Sequence, residues 1–292
     1  MASSPSYAVL FKAFSYDRFV RRRLAALRER VGHGHVHLMI DETHGRVGRV
    51  DHPMVLRHTE SDMTARGYAG YPAGRLFWYN ADYPLYFALE AGLEYDYYVM
   101  LEYDAVANCD LDAFVAAAAA TGADFIGEPM ARSAAEWMWL ASCRDAFPSP
   151  MAVHPYLVCV CLFSRAAALH LRTRRLDLSA RHRAGEIRQW PISEGFMSTE
   201  MIHAGFTVRS LSDYGRIPHV AWWPPYHEAM LGRLSEDAFV HPVLSGSRYV
   251  RSLFRNGLRP GLTAQWQALF SRLPPRPIDL TADTVHRQLT RS

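Results

Sequence analysis

The run at residues 95–101 is dominated by aromatic and aliphatic side chains and closes on Glu102-Tyr103-Asp104. A short apolar run of this kind forms a buried strand, and side chains in a strand alternate between faces with period two. Glu102 and Asp104 therefore project to the same side. Two carboxylates at the mouth of a sheet suit a hard divalent cation, and Mg²⁺ in particular binds through one or two carboxylates plus substrate phosphates. The same pair in a solvated turn would be an ordinary strand end.

The segments around this strand alternate between strand and helix. Strands are predicted at 7–14, 36–40 and 55–57, with an arginine-rich helix at 17–31. A loop at 67–74 is rich in glycine, tyrosine and proline, and a helix at 82–91 carries Pro84 in its first turn. Beyond the carboxylates come an alanine-rich helix at 110–121 with Gly122 past its end, and short buried strands at 124–127 and 157–163. Residues 129–155 read as a surface excursion over the sheet. Ser164 caps a short helix to 171, an arginine-rich segment fills 172–188, and a helix at 193–204 precedes a strand at 206–211. Strands separated by helices imply an α/β fold with a mostly parallel central sheet. The expected organisation is one domain over 1–245 and a helical extension or tail over 246–292.

A net charge of +3 argues against a dedicated nucleic-acid partner, and 49% hydrophobic with 21% charged residues argues against a disordered chain. Among the 32 Lys and Arg residues Lys12 is the only lysine, a bias read as genome base composition. Cys109, Cys143, Cys159 and Cys161 form no C-x-x-C pair, which fits a reducing cytoplasmic setting. No leader-like segment and no apolar run of about 18 residues is evident. The expectation is a soluble cytoplasmic protein, compatible with attachment to the inner face of a membrane. Neither G-x-G-x-x-G nor a Walker-type loop is present.

Three signals in order carry a resemblance to the GT-A-fold glycosyltransferases. Glu102-Tyr103-Asp104 resembles their D-x-D motif, with glutamate in the first place. Ser193-Glu194, followed by Ala204-Gly205-Phe206, resembles their acidic helix start and its closing Ala-Gly-aromatic. A late histidine is the third, with His241 the first choice and His219 the second.

The resemblance implies a GT-A (Rossmann-like) sheet, a nucleoside-diphosphate sugar donor and a carbohydrate, lipid-linked or protein acceptor. It further implies Mn²⁺ or Mg²⁺ held by Glu102, Asp104 and His241, and Glu194 as the base of an inverting transfer. Ser193 departs from the carboxylate usual in the family. Glu200 is the competing base, but at i+6 it points away from Glu194 on a helix. Donor contacts are expected at Phe14, Ser15, Asp41 and Glu42 after the first strands, at Asn80 and Asp82 beside Trp78, and at Tyr103.

The arginine segment reads either as a mobile loop over the diphosphate or as a solvated face. Trp222, Trp223 and Tyr226 read either as a wall for a sugar ring or as a packed lid. His33, His35 and His37 form an H-x-H-x-H row, but His37 enters an apolar strand and His33 sits beside glycine, so the row is not read as a metal site. A retaining mechanism, a sugar nucleotidyltransferase and a non-catalytic carbohydrate- or nucleotide-binding module remain as alternatives. The first is separable by product configuration, the second is disfavoured because residues 7–19 lack glycine, and the third is separable by turnover with metal.

Overall fold

The computed structural model describes residues 4–130, 136–147 and 153–257. The chain divides into two compact units, one of residues 1–103 with 110–214 and one of residues 104–109 with the chain from 215 onward. The boundary expected at 245 thus falls inside the second unit, and residues 258–292 lie outside the described residues.

The first unit contains β1 (Tyr7–Ala13), α1 (Arg18–Arg28), β2 (His35–Asp41), β3 (Val55–His58), α2 (Glu60–Ala65), α3 (Leu76–Tyr79), α4 (Tyr83–Glu90) and β4 (Tyr97–Glu102). The chain passes through β5 (Val106–Asn108) of the second unit. It then returns as α5 (Leu111–Ala120), β6 (Phe125–Pro129), β7 (Tyr156–Ser164), α6 (Arg165–Arg183), α7 (Ser193–His203) and β8 (Val208–Ser210). Seven strands form one sheet in the order β3-β2-β1-β4-β7-β6-β8. The pairings β3–β2, β2–β1, β1–β4 and β6–β8 are parallel, whereas β7 runs antiparallel to both β4 and β6. The fold is therefore α/β with a mostly parallel central sheet flanked by helices.

Burial explains the strand pattern. Every residue of β1 is buried, as expected for a strand covered on both faces by apolar side chains. Helices α1, α5 and α6 start where the sequence supplies acceptors for their orphan amides. Asp17 accepts from Val20 N at 3.0 Å, Asp110 from Ala113 N at 3.1 Å and Ser164 from Ala167 N at 3.2 Å.

Two expectations require correction. The helix capped by Ser164 does not stop at 171 but continues through the arginine segment to Arg183, so that segment is no mobile loop. Arginine is a good helix former, and the first breaker is Gly185, which adopts φ 78° after the Ala184 cap. The arginines pair along this helix: Arg172 with Glu90, Arg174 with Asp177 and Glu200, and Arg181 with Glu186.

The second correction concerns the excursion over 129–155. Its described residues 136–147 do not simply cover the surface, because Trp137, Cys143 and Phe147 are buried in the main core with Phe196 and Met197 of α7. Two aromatic rings and a thiol here gain more from burial than they would from solvent exposure.

The second unit pairs β5 antiparallel and β9 (Arg216–Val220) parallel with β11 (Ala238–His241). A short parallel pair joins β10 (Tyr226–His227) to β12 (Val243–Leu244), and α8 (Gly246–Gly257) follows. Val106, Tyr226, Met230, Val240 and Val243 make its core. Among the described residues no helix is long and apolar enough to cross a membrane.

Candidate active site

In the first unit the parallel register of β1 on β4 sets Lys12 directly beside Glu102. Lys12 is 1% exposed, and its Nζ donates to Glu102 Oε1 at 3.1 Å and to the Ala81 carbonyl at 3.3 Å. A buried ammonium is costly unless paired, and these acceptors offset that cost. Sequence reading missed Lys12 as a site residue. Its signal was its being the sole lysine, on a strand that needs no charge for packing.

Glu194 lies in the first turn of α7, whose N-cap, Ile192, offers no side-chain acceptor. A helix N-terminus ordinarily favours an ionised carboxylate. Although Glu194 is only half-buried, desolvation by the surrounding protein dominates, and with the negative charge of Glu102 it pushes the Glu194 carboxyl up to about 8, against the opposing pull of Lys12. Glu102, Lys12 and Glu194 therefore share one electrostatic neighbourhood. Glu200, two turns on, accepts from His170 Nε2 and Arg174 Nε at 2.9 Å each and serves the α6–α7 contact.

Gly195 follows Glu194 for a steric reason. A Cβ there would lie 2.6 Å from both Cys143 Sγ and the Trp137 ring. The start of α7 presses against that segment.

The expected donor residues separate into two groups. Phe14, Ser15 and Asp41 line an open cavity of about 480 Å³ with Tyr16, Asp17 and the loop 44–48 at the ends of β1 and β2. Asp41 there accepts from the Thr43 amide at 2.9 Å. Glu42, next to it, accepts from Val47 N at 2.8 Å and pairs with Arg57, bracing the loop that forms the cavity wall. Tyr103 packs edge-on against Phe14 with ring centroids 5.1 Å apart.

Asn80 and Asp82 are not at that cavity. Both are wholly buried, with their polar atoms engaged by protein partners. Asn80 accepts from Trp190 Nε1 at 2.9 Å, and Asp82 accepts from Arg175 Nε at 2.6 Å and Tyr86 Oη at 2.8 Å. Trp78 remains 41% exposed.

In the second unit His241 Nδ1 lies 2.8 Å from the Ala221 carbonyl. A carbonyl can only accept, so Nδ1 carries a proton, and in the neutral form of the ring Nε2 keeps its lone pair. That Nε2 faces Asp104 Oδ1 at 3.8 Å. Two acceptors so placed suit a shared cation or proton. A carboxylate with an imidazole whose far nitrogen is fixed by a carbonyl is a fitting donor pair for a divalent cation.

His219 instead uses Nε2 on the Pro224 carbonyl at 2.6 Å and holds a turn. Trp223 and Tyr226 are buried, while Trp222 is half exposed. His33 pairs with Asp112 and His37 with the Tyr95 hydroxyl. Among the described residues they join no metal-binding group.

No protein-family model matches the chain, and no curated protein matches it. Solved structures do. Mouse xyloside xylosyltransferase 1 in its apo form aligns at 10% identity over 81% of this chain and 97% of its own, with TM-score 0.42. A glycosyltransferase involved in glycosylation of the major capsid of PBCV-1 aligns at 11% identity over 86% of this chain and 100% of its own, with TM-score 0.45. The mannosyltransferase PcManGT from Pyrobaculum calidifontis, in complex with GDP-Man and Mn²⁺, aligns at 12% identity over 94% of this chain and 66% of its own, with TM-score 0.44.

Proposed function

We propose that this chain is an inverting glycosyltransferase that moves a sugar from a nucleoside-diphosphate donor to an acceptor hydroxyl, with Glu194 as the base. The observation that carries the reading is the placement of Glu194 in the first turn of α7, where desolvation and the charge of Glu102 push its carboxyl up to about 8. Once ionised, a carboxylate that holds a proton this tightly is a stronger base than an ordinary one, and a value near the working pH keeps part of the population ionised. Glu194 would take the proton of the acceptor hydroxyl as that oxygen attacks the anomeric carbon from the side opposite the departing diphosphate. The nucleoside would occupy the cavity formed by Phe14, Ser15 and Asp41, with Glu42 bracing its wall and Tyr103 at its edge.

Glu102, Asp104 and His241 would hold Mn²⁺ or Mg²⁺. The cation would supply Lewis-acid stabilisation of the diphosphate leaving group. Support comes from the donor chemistry of the three residues and from the one-residue spacing of Glu102 and Asp104 about Tyr103. Lys12 would keep Glu102 oriented.

The deciding experiment screens nucleoside-diphosphate sugars for transfer with Mn²⁺, and for thermal stabilisation of the protein. Glu194→Gln should abolish transfer and preserve donor binding, and Asp104→Ala should remove metal-dependent donor binding. Transfer by Glu194→Gln at the parental rate would end the base assignment. NMR of the product anomer separates inversion from retention.

A further inference from the structure

The chain entering α7 is held by an unbroken set of buried polar contacts. Ser193 Oγ lies 2.6 Å from Asp82 Oδ1 and 2.9 Å from the Tyr79 carbonyl. The hydroxyl has one proton for two acceptors, and the shorter, charge-assisted bond to the carboxylate takes it. Arg175 Nε donates to the other oxygen of Asp82, and Arg175 Nη1 donates to the Pro191 carbonyl at 2.9 Å. The Arg175 guanidinium lies over the Phe196 ring at 3.9 Å and the Trp190 ring at 5.0 Å. Tyr79 Oη donates to the Trp190 carbonyl at 2.8 Å, and Trp190 Nε1 to Asn80. Residues 190, 191 and 193 are thus each tied to residues 79–82 or to Arg175, immediately before Glu194.

Asp82, Arg175 and Ser193 are all 0% exposed. A buried ion pair adds little net stability over a well-packed apolar pair, so its value lies in fixing geometry. The element it fixes is the helix start that carries Glu194. We propose that Asp82, oriented by Arg175, is a positioning residue that sets the Glu194 carboxylate through Ser193. The proposal rests on Glu194 being the base, and it assigns a role to the serine that stands where a carboxylate is usual in the family the sequence resembles.

Ser193→Ala removes the link and leaves the ion pair in place. Misplacing a reacting group by about 1 Å costs on the order of 100-fold. The variant should therefore lose 10- to 100-fold in kcat, with donor KM and Tm close to the parent. Asp82→Leu with Arg175→Met replaces the ion pair by apolar groups and should lose a similar factor. Combined with Ser193→Ala it should lose little more, because both act through one link. A parental kcat in Ser193→Ala, or losses that multiply across the combination, overturns the proposal. If the parent transfers no sugar from any donor, it is the proposed function that has failed. Positioning is then read from the ¹³C resonance and titration midpoint of the Glu194 carboxyl, and a midpoint unchanged by Ser193→Ala overturns it.

Discussion

Lys12 Nζ stands 3.1 Å from Glu102 Oε1, and the ammonium is buried while the carboxylate keeps an open edge. Lys12→Met removes the cation that this carboxylate and Glu194 share. Breaking a buried pair from one side costs about 3–5 kcal/mol, and the partial exposure of Glu102 brings the expectation to about 2–3 kcal/mol. The variant should then gain more in Tm from added Mn²⁺ than the parent does, because a second cation replaces the lost charge. Urea denaturation with and without Mn²⁺ measures both effects. An equal gain in the two proteins would separate Lys12 from the carboxylate proposed to bind the metal.

Glu194 gives stability a definite slope with pH. Its folded carboxyl titrates at about 8, above the ordinary value of 4.5, so between those values the folded state binds more protons than the unfolded. Stability from this group is present at low pH and is lost as pH rises through that window, by an amount on the order of a few kcal/mol. Glu194→Gln does not titrate. Its stability relative to the parent should therefore improve steadily from pH 5 to pH 8.5 in urea denaturation, and a constant difference would contradict the burial of the charge.

His58 carries the opposite sign. It is 2% exposed, neither ring nitrogen has a hydrogen-bond partner among the described residues, and burial lowers its pKa to about 4 despite Asp41 and Asp62 nearby. The unfolded ring binds its proton near 6.5, so stability from this group is present above that value and is lost as pH falls towards 4. His58→Leu has no ring to charge. The variant should gain on the parent progressively between pH 6.5 and pH 4, which acid-dependent thermal melts would record.

Much of this arrangement was legible because it depends on local pattern. The strands around β1, β2, β4 and β7 follow from apolar runs, and the starts of α1, α5 and α6 follow from Asp17, Asp110 and Ser164. The direction of β7 was not legible, since an apolar run buried on both faces reads the same parallel or antiparallel. The true setting of Asp82 was hidden for a different reason. Its partner Arg175 lies 93 residues away inside what reads as a charge run, and only the packing of α4 on α6 brings the two together. Periodicity places Glu194 and Glu200 on different faces of one helix, but the roles of the faces depend on Lys12, Glu102, His170 and Arg174 from other elements.

Gly195 offers the most direct test of whether the start of α7 has any room to move. Its neighbours are the Trp137 ring and Cys143 Sγ, both 2.6 Å from the place a Cβ would take, closer than non-bonded heavy atoms approach. Relief requires either the aromatic ring or the helix start to shift, and both lie in the buried core that includes Phe196 and Met197. Overpacking of this kind costs about 1–3 kcal/mol, against which alanine returns up to about 1 kcal/mol of helix propensity over glycine. Gly195→Ala should therefore be destabilised by about 1–2 kcal/mol. If the helix start is what moves, sugar transfer should fall further than the folded fraction accounts for, because Glu194 moves with it. If the ring yields instead, the same loss of stability should appear with transfer per folded molecule unchanged. A variant as stable as the parent would show that α7 does not press on this segment, and chemical denaturation beside a transfer assay separates the three results.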